Sequence, residues 1–247
     1  AVEVQRAADL IVQQKGLPGP VAQVLARRGV AAEEADAFLA PALRDLLPDP
    51  RLLKDMEKAA TRVLEAVARR ERIAIFADYD VDGGTSAALL LDWLRQLGLR
   101  ATLYVPDRID EGYGPNDAAM ADLAAKHDLI VCVDCEAVAV VNPNRQDEDG
   151  DLGHLCAAGV VFLMLVECGR QMRAAGKTGP DLMQMLDLVA LATVADVAPL
   201  IGVNRAFVRQ GLRVMAARER PGLAALADVA RLDTAPAAYH LGYLLGP

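Results

Sequence analysis

Three aspartates alternate in the segment Asp78–Gly83, directly after an apolar run. Because carboxylates this close together repel one another, Asp78, Asp80 and Asp82 cost stability unless cations lie among them. Mg²⁺ and Mn²⁺ are hard cations that prefer carboxylate oxygens as ligands. The residue types and their spacing therefore predict a site for divalent metal ions.

Two further aspartates follow apolar segments and are candidates for the same site. Asp134 comes directly after the run at 129–133, and Asp196 after the stretch at 186–195. Ligands of open α/β sheets bind at the carboxyl ends of the strands, so we expect Asp134 to join the alternating aspartates. Asp196 would approach from the side, although a single aspartate after a helix is more often an ordinary surface residue. A solvated turn remains the alternative for the alternating motif, but a calcium-binding EF-hand loop is excluded because Leu89 stands where that loop needs a glutamate.

The elements that would position these aspartates indicate an α/β fold. Apolar runs at 73–77, 101–105 and 129–133 are typical of buried strands, and helical patterns lie between them. Strands that alternate with helices predict a parallel sheet flanked by helices. We expect Thr85 or Ser86 to be the N-cap of the helix that follows the alternating aspartates.

The chain divides into three predicted segments. Residues 1–52 form an N-terminal helical lead-in, punctuated by glycines and prolines. Residues 53–200 form the α/β domain that carries the aspartates, and residues 201–247 form a C-terminal helical segment.

The composition excludes disorder and limits the function only weakly. Hydrophobic residues make up 53% of the chain, and the formal net charge is -8. An acidic balance argues against a nucleic-acid partner, but a carboxylate-rich metal site lowers the charge without excluding one. The first residues do not have the pattern expected of an N-terminal leader, and the longest apolar run, at 155–166, is expected to be too short to span a bilayer. A cytoplasmic location with four reduced cysteines is the resulting prediction.

One junction does not fit the predicted sheet. A further apolar run, at 137–141, begins after only Asp134, Cys135 and Glu136. Parallel strands need a crossover of about a dozen residues, and Asp-Cys-Glu is a poor hairpin turn. We therefore expect a segment to be missing between Cys135 and Glu136, the alternative being an unusual edge hairpin.

Six ordered segments resemble the DHH phosphoesterase family in its RecJ form. They cover nearly the whole chain, which makes the resemblance specific. The segments lie at 73–91, which contains Ala-Asp-Tyr-Asp-Val-Asp-Gly, at 104–114, at 133–135, at 142–145, at 155–160 and at 193–200.

The resemblance implies a two-metal phosphodiesterase that degrades single-stranded DNA from its 5′ end, with a role in DNA repair and recombination. Five aspartates match the family's metal ligands, with Mn²⁺ or Mg²⁺ as the two ions: Asp78, Asp80, Asp82, Asp134 and Asp196. Asp80, Asp82 and Asp134 are the expected catalytic residues. Arg108 and Tyr113 are expected to bind substrate, although Arg108 in a structural salt bridge is equally plausible. A single-strand-binding protein and a recombination helicase are the expected partners beside single-stranded DNA.

The sequence departs from the family pattern at two places. The histidine pair that names the DHH family belongs between Val133–Cys135 and Asn142–Pro143, where the sheet connection is already too short. The chain also stops where the RecJ pattern continues with an Arg-x-Asn segment and a second, DHHA1-type domain. We therefore expect residues 201–247 to connect to a domain that this sequence does not contain.

Two alternative functions remain open at this point. A DHH enzyme that acts on short oligonucleotides would use the same chemistry, but the Glu111–Gly114 segment favours the RecJ form. A non-catalytic scaffold for replication or repair would become the better hypothesis if the histidine pair is deleted. The presence of all five aspartates argues against the scaffold, because without metal these carboxylates only repel one another.

Overall fold

The computed structural model describes residues 2–134 and 140–246. Its contacts divide the chain into two compact units, Ala1–Leu47 and Pro48–Pro247. The smaller unit consists of helices α1 (Val2–Lys15), α2 (Gly19–Arg27), α3 (Ala35–Leu39) and α4 (Leu43–Leu46). Its small core is aliphatic, with Ile11, Leu25 and Ala35 fully or almost fully buried.

The larger unit begins with a 3₁₀ turn, Pro50–Leu52, and then α5, Met56–Arg69. Within residues 48–134 and 140–246, its sheet contains three parallel strands: β1 (Ile73–Ala77), β2 (Ala101–Tyr104) and β3 (Leu129–Val133). The order β2-β1-β3 places β1 in the centre, where all five of its residues are buried. Because the strands are parallel, the residues that follow β1 and β3 meet at one edge of the sheet.

Helices cover both faces of this sheet. Ala74 and Phe76 of β1 pack against α7 (Asp117–Lys126), through Ala119 and Leu123. Side chains alternate along a strand, so the residues between them face the other side, where α6 (Val81–Gln96) contacts β1. The predicted parallel α/β fold flanked by helices is confirmed.

The remainder of the larger unit is helical. The α8 helix (Ala157–Ala174) packs on α5 and α6, and α9 (Leu186–Ala195) packs on α6 and α10 (Gly202–Ala216). Gly211 allows the close approach of α10 to α9, because a Cβ there would lie 2.2 Å from the carbonyl oxygen of Leu186. A 3₁₀ turn, Leu182–Met185, precedes α9. After α10 come α11 (Pro221–Val229), α12 (Ala238–His240) and a π-helix (Leu241–Leu245).

The structure corrects the predicted start of α6. The helix begins at Val81, with Asp80 as its N-cap, rather than at Thr85 or Ser86. Asp80 Oδ1 accepts a hydrogen bond from the backbone N–H of Gly83 at 2.8 Å. Gly83 lies in the first turn of this helix, where its backbone closely approaches Asp78 at the end of the preceding strand.

Other predictions fall partly outside the described residues. The run at 137–141 and the missing segment at 135/136 fall on residues 135–139, which are not described. Val140 and Val141, which are described, are not in a strand. The division at residues 52 and 200 stays a prediction. Among the described residues, no helix is both long and apolar enough to cross a membrane.

Candidate metal centre

Three carboxylates meet at the carboxyl edge of the sheet. Asp78 follows β1, Asp134 follows β3, and Asp80 is the N-cap of α6. One oxygen of each side chain lies within 4.8 Å of the others, a group that could hold a metal ion. Strand order alone brings Asp78 and Asp134 together, since β1 and β3 are neighbours.

Asp78 gives a physical reason to expect a cation in this group. Its side chain is 1% exposed, and its Oδ1 is buried with no hydrogen-bond partner among the described residues. A buried carboxylate oxygen without a partner is costly, because it has lost its water and gained nothing. A hard divalent cation is the ligand that these oxygens accept best, so the residues fit Mn²⁺ or Mg²⁺.

The carboxyl of Asp134, in the same group, has a raised pKa. Burial raises the pKa of its carboxyl to about 7, and the negative charges of Asp82, Asp80 and Asp78 add to the effect. The Asp134 backbone is left-handed, with φ of 58°, a conformation that aspartate tolerates better than most residues. A divalent cation would offset both the cost of burying this charge and the repulsion from its neighbours.

Gly83 explains how Asp78 and Asp80 can lie so close to the helix. A Cβ at Gly83 would lie 2.4 Å from the backbone oxygen of Asp78, which is too close for any side chain at this position. Gly84, the next residue, has open space around its Cβ position. Packing therefore requires glycine at position 83, while position 84 has space for a side chain.

Asp82 lies beside the group but binds the start of another helix. Its two oxygens accept the backbone N–H groups of Ala157 at 2.6 Å and Ala158 at 2.8 Å, at the N-terminus of α8. Burial raises the pKa of Asp82, and these two hydrogen bonds partly oppose that rise. The carboxylate thus ties the aspartate motif to α8, whose N-terminal end favours a negative charge.

Asp196 approaches from the end of α9, where it is the C-cap. Burial raises the pKa of its carboxyl, and the charge of Asp80 raises it further, so the two carboxylates influence each other. The chain turns there through Val197, which is left-handed with φ of 56°. Hydrogen bonds from Val197 N to Val194 O and from Ala198 N to Thr193 O complete this helix end, a pattern that normally uses glycine at the left-handed position.

An aromatic and cationic group lies next to the aspartates. The guanidinium carbon of Arg108 lies 5.3 Å from the ring centre of Tyr79, the residue between Asp78 and Asp80. The ring of Tyr113 meets Tyr79 edge-on, with 6.3 Å between centroids, and Tyr113 is 70% exposed. The structure thus brings Arg108 and Tyr113 together at Tyr79.

The site contains participants that the sequence analysis did not single out. Tyr79 lies inside the aspartate motif and could have been found there as the aromatic residue between two ligands. The N-terminus of α8 gave no such signal, because its role depends on a contact with Asp82 across the fold. None of the three histidines belongs to the carboxylate group within the described part of the chain.

Comparison with known proteins defines the class of this site. Residues 72–139, which contain four of the five aspartates, match the DHH family, N-terminal domain. This part of the chain is thus similar to the N-terminal domain of the DHH family.

The particular relatives are RecJ exonucleases. The single-stranded-DNA-specific exonuclease RecJ of Dickeya dadantii is 36% identical over 94% of this chain and 46% of its own length. The RecJ protein of Escherichia coli is 32% identical over 99% of this chain and 48% of its own. The chain thus spans about half the length of these relatives and is similar to RecJ over most of its own length.

Solved RecJ structures share the fold. The structure of RecJ from Thermus thermophilus in complex with Mn²⁺ has a TM-score of 0.78 at 26% identity, covering 98% of this chain and 38% of that one. A structure of exonuclease RecJ bound to manganese has a TM-score of 0.70 at 30% identity, covering 79% of this chain and 56% of that one.

Proposed function

We propose that this chain is the catalytic core of a metal-dependent exonuclease that hydrolyses single-stranded DNA from the 5′ end, in DNA repair and recombination. The observation that carries the proposal is the carboxylate group of Asp78, Asp80 and Asp134, in which a buried Asp78 oxygen has no hydrogen-bond partner in the part of the chain that the structure describes. The similarity to RecJ exonucleases supports the substrate. The solved structures of RecJ with Mn²⁺ and Mg²⁺ support the choice of metal.

The metal ligands that we propose are the five aspartates, with Asp78, Asp80 and Asp134 at the centre and Asp82 and Asp196 beside them. Two bound Mn²⁺ or Mg²⁺ ions would supply an activated water and stabilise the charge on the leaving oxygen. The roles of Asp80, Asp82 and Asp134 as catalytic residues belong to the same proposal. Asp82 has a second task, because it fixes the aspartate motif against α8.

Arg108, Tyr79 and Tyr113 are the proposed contacts to the DNA strand. Exposed aromatic rings bind single strands because every base has a face that can stack. A guanidinium donates paired hydrogen bonds to phosphate oxygens. The Arg108 side chain already lies over the Tyr79 ring, so a charge for phosphate and a surface for a base occur side by side, next to the carboxylates.

The comparisons also support the proposal that this chain lacks an internal segment. The alignments extend over 273 residues with the Dickeya protein and 286 with the Escherichia protein, and both exceed the 247 residues of this chain. The relatives therefore contain residues, inside the aligned region, that have no counterpart here. We propose that these include the histidine pair, at 135/136; an intact mass with peptides across Cys135 and Glu136 tests this.

A cleavage assay tests the proposed function. Single-stranded DNA labelled at the 5′ or the 3′ end is incubated with the chain and Mn²⁺, with EDTA as the metal-free control. We expect release of labelled mononucleotide from the 5′ end first, lost in EDTA and in the variant Asp80→Asn. Asp122→Asn, an exposed carboxylate on α7 that pairs with Lys126, is the matched control and should retain cleavage.

Other outcomes of the assay identify the alternatives. Cleavage of dinucleotides in preference to long strands would indicate an enzyme of short oligonucleotides. Binding of single-stranded DNA without any cleavage in Mn²⁺ or Mg²⁺ would indicate the scaffold. The cytoplasmic location, the single-strand-binding protein and the recombination helicase stay predictions.

A further inference from the structure

The loop that carries Arg108 and Tyr113 is held by one carboxylate. Glu111 Oε2 accepts the hydroxyl hydrogen of Tyr104 and, at 3.5 Å, the side-chain amide of Asn116. Glu111 Oε1 accepts the backbone N–H of Asp107 at 3.0 Å. The two oxygens therefore bind the start of the loop, its end and the strand before it.

The loop has a fixed local shape around this carboxylate. The Asp107 carbonyl accepts the N–H groups of Glu111 at 2.9 Å and Gly112 at 3.1 Å. The Asp107 side chain accepts those of Ile109 at 2.8 Å and Asp110 at 3.0 Å. Arg108 lies inside this turn and Tyr113 directly after it, so a shift of the turn moves both side chains.

Tyr104 connects the loop to the strand that ends in the metal site. It is the last residue of β2 and pairs in register with Phe76 of β1. Its ring stacks on the fully buried Phe76 ring, with 5.4 Å between centroids. Phe76 lies two residues before Asp78. The contacts from Glu111 to Tyr104 and from Tyr104 to Phe76 therefore connect the loop to β1, the strand that precedes the metal-binding aspartates.

The charge state of Glu111 suits this task. The hydrogen bond from Tyr104 and that from Asp107 hold the pKa of the Glu111 carboxyl below its usual value. The pKa of the Tyr104 hydroxyl is raised by the same bond. Near neutral pH, the glutamate is thus an ionised acceptor and the tyrosine a neutral donor.

We propose that Glu111 is a positioning residue for substrate: it holds the 105–116 loop so that Arg108 lies over the Tyr79 ring and Tyr113 lies edge-on to it, beside the carboxylate group. The inference rests on the proposed function for its ligand, single-stranded DNA. Glu111 acts through the loop and does not itself contact the strand.

Two substitutions separate this role from a simple effect of charge. In Glu111→Gln, one amide oxygen replaces two carboxylate oxygens, so one side of the connection loses its acceptor. An amide N–H₂ group that faces Asp107 meets an N–H donor, and one that faces Tyr104 removes the acceptor of the tyrosine hydroxyl hydrogen. The change also removes one negative charge, which by electrostatics alone would strengthen binding to a polyanion. Tyr104→Phe removes only the hydroxyl and retains the ring that stacks on Phe76.

The experiment measures the binding of a fluorescein-labelled single-stranded oligonucleotide by anisotropy, in Ca²⁺ to slow any cleavage. We expect each single variant to bind about five- to tenfold more weakly, the range of one or two lost hydrogen bonds. The double variant should be no weaker than the weaker single variant, since both break one connection. Asp122→Asn removes a carboxylate that lines the same cleft as Glu111 but pairs with Lys126, and this variant should bind no more weakly than the wild type.

Hydrogen exchange supplies a second readout that does not depend on DNA. Amides of residues 105–116 should exchange faster in Glu111→Gln, while β1 and α6 are unchanged. Unaltered or tighter DNA binding by Glu111→Gln, or unaltered exchange in the loop, overturns the positioning role and leaves the proposed function intact. A wild-type chain that binds no single-stranded DNA overturns the proposed function itself.

Discussion

Removal of the Asp134 carboxylate should stabilise the metal-free protein, because burial and the charges of the neighbouring aspartates disfavour its ionised form. The pKa of the Asp134 carboxyl rises from 3.8 in the unfolded chain to about 7 in the folded protein. Between about pH 4 and about pH 7, the folded protein therefore keeps a proton that the unfolded chain has released. The contribution of Asp134 to stability therefore falls as the pH rises from about 4 to about 7, and it is least favourable above pH 7. A shift of about three pKa units corresponds to about 4 kcal/mol, and water around this half-buried side chain reduces that to about 2 kcal/mol.

The assay is urea unfolding of the wild type and of Asp134→Asn at pH 8. Asparagine tolerates the left-handed backbone of this position, so the substitution adds no strain. In EDTA, we expect the variant to be more stable by about 2 kcal/mol, the screened value above. With Mn²⁺ at 100 times its dissociation constant, the wild type should gain about 2.7 kcal/mol and the variant much less. A variant that is less stable in EDTA, or that gains as much from Mn²⁺ as the wild type, refutes the reasoning.

Three further substitutions test the supports of the site. Val197→Gly should raise the free energy of unfolding by about 1 kcal/mol in thermal or urea unfolding, because an 85% exposed valine loses little packing and its left-handed strain is relieved; an unchanged or lower stability contradicts this. Asp82→Ala should lower the free energy of unfolding by about 2–3 kcal/mol in metal-free urea unfolding, because two N–H groups at the start of α8 lose their acceptor. A loss below about 0.5 kcal/mol, less than one ordinary hydrogen bond, argues against this connection between Asp82 and α8. Gly83→Ala should abolish Mn²⁺ binding in a calorimetric titration, while Gly84→Ala, with open space at its Cβ, should bind as the wild type does; equal binding by both shows that the contact with Asp78 is not required.

The carboxylate group could be predicted because its geometry follows from strand order. Asp78 and Asp134 each follow an apolar run, and parallel strands place such residues at one edge. Asp80 is two positions from Asp78, so it had to lie nearby. These three are the residues that the structure brings within 4.8 Å of one another.

The supports of that group could not be predicted, because they join residues that are distant in sequence. The bond from Ala158 to Asp82 spans 76 positions, and no local pattern encodes it. Arg108 was expected to bind substrate or to form a salt bridge, and its place over the Tyr79 ring depends on how the 105–116 loop folds back. The start of α6 was misplaced because Thr85 and Ser86 are residue types that favour the N-cap, whereas Asp80 caps the helix and Gly83 packs inside its first turn.

The most direct test of the central claim is a calorimetric titration of the metal-free chain with Mn²⁺ at pH 8. We expect saturable binding that is lost in Asp78→Asn, since that variant alters the buried carboxylate whose Oδ1 has no hydrogen-bond partner among residues 2–134 and 140–246. Asp122→Asn should bind as the wild type does. Absence of Mn²⁺ and Mg²⁺ binding by the folded wild-type chain, or binding that Asp78→Asn leaves unchanged, would contradict a metal centre at this edge of the sheet.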